Sequence, residues 1–363
     1  MRSRNLLLIC VGFAAAFFIS CSSGGSDEPD TTTELSAQTR VGLSAITKNY
    51  DPSEASWRQL LDAAKESGVG LVHIQSPRWS ETEIERGTYQ FNDFVNFFEL
   101  NRTYRIPYTL DVATPLGLGT PDVPPDLQFH SFDDPQLLIR YRAFLTAVLE
   151  RFNEATDVVL HVETVGSYFS GELAPQFMDF CSVINNAVQL AKEIRSGVRV
   201  GVYLSADERA DIRSCLNRST DFYAVTYLAD RGDSDFRAAF RAIEALPKDK
   251  PVALVEAGLP TSSRLGGSEE RQIDFVNSLF SLAGSMGDRL TFFSYYHAYD
   301  EDPAVTRQYV PSTFPQFDAN QQEDLIAFLT TLGLHRTDGT AKPAWNVFKQ
   351  NVLNRKVMRS AVQ

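Results

Sequence analysis

Histidine is scarce in this 363-residue chain. The five that occur, at 73, 130, 161, 297 and 335, never repeat at the H-x-x-x-H interval of a helical metal site, so no metal centre and no cofactor is expected. No G-x-S-x-G elbow is present, which removes the usual frame of an α/β serine hydrolase. Phosphate cradles are missing as well: Gly117-x-Gly119 leads into no helical pattern, and Arg264-Leu-Gly-Gly carries no Walker lysine. There is no internal repeat, and basic charge is in deficit, with 34 Lys and Arg against 46 Asp and Glu. Setting aside residues 1–20 removes two arginines and no acid, leaving 32 basic against 46 acidic residues, a net charge of −14. Such a balance argues against nucleic acid or an anionic lipid surface as partner and favours a neutral ligand.

Long apolar runs are equally rare, and the one at the N-terminus is an export signal. Arg2 and Arg4 precede an apolar stretch from Leu6 to Ile19, too short for a spanning helix, which closes on Ser20-Cys21. Ile19-Ser20-Cys21 resembles a bacterial lipobox, with Phe18 where Leu is usual, and implies that Cys21 becomes lipidated. An ordinary cleaved signal with Cys21 incidental is the alternative. Residues 22–36 hold too little apolar surface to order themselves and read as a tether. A lipid-anchored protein of the bacterial cell envelope, periplasmic or surface-exposed, is therefore expected. Of the four cysteines, Cys10 leaves with the signal and Cys21 would carry the lipid, which leaves Cys181 and Cys215. In an exported chain these can form a disulfide. Cys181 also sits on the apolar stripe Phe177, Phe180, Ile184, Val188 and fits equally well as a small core residue.

Residues 37–363 alternate apolar strand-length runs with amphipathic helical ones, the pattern of a single-domain α/β protein, a (β/α)8 TIM barrel. Eight strands are predicted at 40–45, 69–75, 105–111, 157–163, 198–204, 222–227, 251–256 and 289–295. Ser53 caps a helix whose Trp57, Leu60, Leu61 and Ala64 share one face, and residues 133–153 form the clearest helix of all. Segments 76–91, 112–132 and 296–319 read as long loops, all rising on the face where strand ends carry chemistry.

Two strands deliver a carboxylate at that face: Glu256 in KPVALVEAGLP and Glu163 in DVVLHVETVG, 93 positions apart. Paired carboxylates facing one another are the machinery of glycoside hydrolysis. Further residues resemble one group. Trp79-Ser-x-x-Glu83 with Gly87-x-Tyr89-x-Phe91 looks like the W-x-x-x-E-P-x-x-G-x-Y-x-F segment of clan A glycoside hydrolases, with Ile84 in place of Pro. LGLHRTDGTAKPAW at 332–345 is similar to the closing segment of those barrels.

The resemblance implies a retaining hydrolase of a β-linked poly- or oligosaccharide, with Glu256 as nucleophile and Glu163 as acid/base, about 5 to 5.5 Å apart. A carbohydrate is then the partner, and a monomer is expected. Where the clan carries Asn-Glu, this chain has Val162-Glu163-Thr164. Anchoring on Tyr168-Phe169 puts Thr164 at the acid's place; anchoring on the glutamate keeps the acid. A non-catalytic carbohydrate-binding lipoprotein on the same barrel is the alternative function. Trp79, Tyr168, Tyr227, Tyr295 and Tyr296 fall at or near predicted strand ends, where rings stack on sugars, though each fits core packing as well. Tyr227 resembles the tyrosine that orients the clan's nucleophile. Arg78, Asp111 and Asp300 are candidate polar contacts or one another's ion pairs, and His73, His161 and His297 are placed to touch a sugar.

Overall fold

A computed structural model describes residues 39–76, 78–117, 120–128, 130–162, 165–205, 208–229, 236–315 and 317–362, the side chains of 167 and 356–362 excepted. Eight parallel strands close into a barrel: β1 (Arg40–Ser44), β2 (Leu71–Gln75), β3 (Tyr108–Ala113), β4 (Asp157–His161), β5 (Arg199–Ser205), β6 (Phe222–Leu228), β7 (Val252–Gly258) and β8 (Leu290–Tyr295). Each feeds a helix on the outside: α1 (Glu54–Ser67), α2 (Val95–Tyr104), α3 (Pro135–Arg151), α4 (Phe177–Ile194), α5 (Ala210–Leu216), α6 (Phe236–Glu244), α7 (Glu269–Met286) and α8 (Pro343–Val362). The (β/α)8 expectation holds strand for strand. The third strand starts later than predicted because Arg105 turns left-handed (φ 55°) at the end of α2 and Pro107 follows before extended pairing begins.

Strands buried on both faces read as unbroken apolar runs, and β7 is buried at every position. The barrel interior is plugged by Leu71, Val159, Phe222 and Phe292, one from each even-numbered strand. Glycines on odd strands make the room. A Cβ on Gly42 would sit 2.3 Å from Leu71 Cδ1, and one on Gly201 2.4 Å from Phe222 Cε2. Beneath this plug the fully buried Asp157 is held between Arg40 and Arg199, which closes the N-terminal end. The same interior positions turn polar towards the C-terminal end, and the site lies there.

Caps follow the sequence signals. The Ser53 hydroxyl accepts from the Ser56 amide at the start of α1, and Asp134 accepts from Gln136 N ahead of Pro135 in α3. Cys181 on α4 and Cys215 on α5 are joined in a disulfide, so the bridge rather than the free core thiol is what the fold contains.

One loop assignment is corrected. Within 296–319, Pro303–Thr313 is helical, and a second helix, Ala319–Leu329, starts at its end. Asp302 and Asp318 cap these two helices, whose apolar faces meet in a satellite core around Tyr296, Val310, Leu325 and Leu329. The cap-plus-Pro signal at Asp302-Pro303 was present in the sequence, and the local Pro and aromatic content masked it.

Candidate active site

Glu256 is fully buried at the C-terminal mouth of the barrel. Strict alternation would not put it there. Ala253 and Val255 belong to the interior cluster while Leu254 and Ala257 pack outward against the helices, so the inward parity runs 253, 255 and then 256. The cause is a bulge: Val225 of β6 pairs with Leu254 and the next residue, Thr226, pairs with Glu256, which leaves Val255 as the extra residue. The bulge re-aims the carboxylate across the mouth. There Gln75 Nε2 on β2 donates to Oε1 at 2.5 Å and Tyr203 Oη on β5 donates to Oε2 at 3.1 Å. Thr226 Oγ1 donates to the Glu256 carbonyl at 3.2 Å, which ties down the bulge itself.

Next to this carboxylate stands Asp111 on β3, 2 % exposed, whose Oδ2 lies 2.5 Å from His161 Nδ1. The His161 ring stacks on Tyr203 with centroids 4.4 Å apart, so one ring links both acids. His73 on β2 meets Thr109 Oγ1 through Nδ1 at 2.8 Å. Burial pulls its pKa down to about 4, which keeps the imidazole neutral at ordinary pH. Ligand atoms of His73, Asp111 and Glu256 all lie within 4.8 Å of one another. Three strands separated by long stretches of sequence supply them, which is why no local spacing announced a metal-capable group.

Above the acids a pocket opens, lined by Gln75, Arg78, Asp111, Leu116, Asp122 and His161. Arg78 is anchored at its rim by Asp122, Nε to Oδ1 3.1 Å, and Ser80 Oγ donates to the same oxygen at 2.5 Å. A second hollow lies alongside between Pro121, Phe132, Tyr168 and Gln176, with Tyr168 half-buried in its wall.

Of the candidates read from sequence, the structure gathers Glu256, Asp111 and Arg78 at the mouth, with His73 and His161, and places Tyr168 beside it. Others are corrected. Trp79 is wholly buried: its Nε1 donates to Glu83 Oε2 at 2.7 Å and its ring stacks on Phe144, so it is core beneath the loop and no sugar platform. Tyr227 lies on the outer face of β6, packed on Phe240 and Phe275, because Phe222 and Ala224 fix the inward parity and give Thr226 the inner position. The same parity turns Tyr295 outward, where its hydroxyl donates to Leu332 O at 3.1 Å. Tyr296 belongs to the satellite core. Asp300 is consumed structurally: Lys342 Nζ and the Gly333 amide both donate to its Oδ1 at 2.8 Å. Glu163 and Cys21, with the whole signal and tether, lie outside the described residues. Gln75 and Tyr203 went unnoticed in the sequence; position on the inward parity at a strand's C-terminal half was the signal that marks them.

No protein-family model matches the chain, and comparison with curated proteins finds no match. Solved structures do match. GH5_18 from Streptomyces cattleya, in complex with Manβ1-4GlcNAc, superposes with a TM-score of 0.63 at 15% identity, over 87% of this chain and 80% of that one. By fold the chain resembles the clan A glycoside hydrolases. An exo-β-1,4-mannosidase from Opitutaceae bacterium strain TAV5 gives 0.65 at 13% identity, covering 90% and 62% of the two chains. Xylanase 10B from Thermotoga maritima gives 0.61 at 14%, covering 88% and 96%. At such identities the likeness to these clan A enzymes is one of fold.

Proposed function

We propose that this clan A-like barrel is an exported glycoside hydrolase that cleaves a β-linked poly- or oligosaccharide with retention. The observation that carries the reading is the fully buried Glu256, turned into the mouth by a bulge and gripped by Gln75 and Tyr203. A carboxylate held by two donors at a strand end of this barrel is pre-oriented to attack an anomeric carbon. On β4, Val159 belongs to the interior cluster and His161 bonds Asp111, while Val158, Leu160 and Val162 pack outward. Glu163, two positions beyond His161 in the sequence, is the carboxylate this reading takes as acid/base. The β-1,4 linkage named for the mannosidase supports the substrate class. Lipidation at Cys21 and residence in the cell envelope complete the proposal, on the strength of the N-terminal sequence; among the described residues no helix is long and apolar enough to cross a membrane.

The test is a panel of 2-fluoro aryl β-glycosides with mass spectrometry of the peptide bearing Glu256. A glycosyl adduct there, lost in Glu256→Gln, is the expected result. In Glu163→Gln, hydrolysis of substrates with good leaving groups persists while that of unactivated oligosaccharides collapses. The Glu163-Thr164 departure favours one second reading, a non-catalytic carbohydrate-binding protein: sugar binding without any adduct across the panel would establish it. Cys21→Ala should release the protein from membranes; retention of membrane association would defeat the anchor.

A further inference from the structure

We propose that His73, Asp111 and Glu256 form a binding site for a divalent transition ion of the zinc and manganese class. The inference goes beyond the glycosidase reading and does not rest on it. One nitrogen and two carboxylate ligands come from β2, β3 and β7, all buried, with ligand atoms within 4.8 Å of one another. Around zinc at about 2.0 to 2.2 Å, such atoms stand roughly 3.3 Å apart, so side-chain rotation has little left to close.

Two unsatisfied atoms point to a ligand. His73 uses Nδ1 towards Thr109, and its Nε2 finds no hydrogen-bond partner among the described residues. Asp111 uses Oδ2 towards His161, and its Oδ1 likewise finds none. Each buried polar atom left so carries an uncompensated desolvation cost, which coordination would offset for both at once. The outer contacts have the form that metal ligands require, since Thr109 orients the imidazole and His161 orients the Asp111 carboxylate. Imidazole with two carboxylates suits borderline ions, and three protein ligands leave open positions rather than a closed structural site. Glu256 is common to both chemistries, so an ion bound there competes with a glycosyl group for the same carboxylate.

The full chain, dialysed against a chelator, is titrated with zinc by calorimetry and with manganese by electron paramagnetic resonance. One equivalent is expected to bind, with His73→Ala and the nearly isosteric Asp111→Asn each weakening it by about tenfold or more. His130→Ala, away from the cluster, should bind as the parent does. Circular dichroism establishes that each variant is folded. Failure to bind at millimolar zinc, or equal affinity in both folded cluster variants, overturns the proposal. Adduct formation at Glu256 in the metal-free protein reports on the glycosidase reading separately, and added zinc should slow it.

Discussion

Replacing Glu83 by alanine removes the post around which the segment after β2 is folded. Its side chain is fully buried, and it accepts from the Gly87 amide at 2.7 Å, from Trp79 Nε1 at 2.7 Å and from Arg140 Nη2 at 3.0 Å. Breaking one side of a buried ion pair costs about 3 to 5 kcal/mol. Arg140 keeps the exposed Asp126 as a second partner, which reduces the expected loss to about 2 to 4 kcal/mol. With roughly 320 ordered residues each contributing about 2.1 cal/mol/K of unfolding entropy, 1 kcal/mol shifts Tm by about 1.5 °C. Calorimetry of Glu83→Ala should therefore show a fall of about 3 to 6 °C. Glu83→Gln should lose nearly as much, because its amide group must face donors on either side. In a double-mutant cycle with Arg140→Leu, the two losses should be non-additive by about 1 kcal/mol or more. Melting within about 1 °C of the parent, or strict additivity, would refute the view that this tetrad of Trp79, Glu83, Gly87 and Arg140 is structural.

Tyr203→Phe preserves the ring stacked on His161 and deletes the donor to Glu256; loss of a bond to a charged group, about 1.5 to 3 kcal/mol, should slow adduct formation by about 10- to 100-fold. An unchanged rate would remove Tyr203 from the site. Gly201→Ala, which drives a methyl into Phe222, should cost about 1 to 3 kcal/mol in denaturant melts. Reducing Cys181–Cys215, which closes a 34-residue separation, should cost up to roughly 3 to 4 kcal/mol on the chain-entropy account, and equal melting with and without reductant would contradict it. Burial holds His297 near a pKa of about 4 against about 6.5 unfolded, so the unfolded chain binds more protons between those values. Stability must fall as pH drops from about 6.5 towards 4, and His297→Gln should flatten that slope.

The barrel was legible because each strand is an apolar run buried on both faces, and because Ser53 and Asp134-Pro135 mark helix starts without ambiguity. Glu256 and Asp111 were legible as strand-end carboxylates. Aromatics near strand ends misled: adjacent residues such as Thr226 and Tyr227 point to opposite faces, and their face depends on a parity set deeper in the strand by Phe222 and Ala224. Motif segments misled in a different way. Trp79 donates to Glu83, and Gly333 and Lys342 both donate to Asp300. Their resemblance to the clan's segments therefore reflects how the barrel's connections are braced. A Cβ on Gly333 would fall 2.2 Å from the Asp300 amide nitrogen, so that turn tolerates no other residue. The gathering of His73, Asp111 and Glu256 depends on which strands adjoin across a closed ring, and no window along the chain contains it.

The extra residue on β7 turns function into a question of counting. Unbroken alternation from Ala253 and Val255 would turn residue 256 outward, whereas excising Val255 would restore even pairing with β6 and leave Leu254 outside and Glu256 inside. A lineage could thus lose three nucleotides and the bulge with them while the acid keeps its place in the mouth. Comparative surveys that score only which amino acids are present would miss the event; spacing between the last apolar pair and the acid is the character to record.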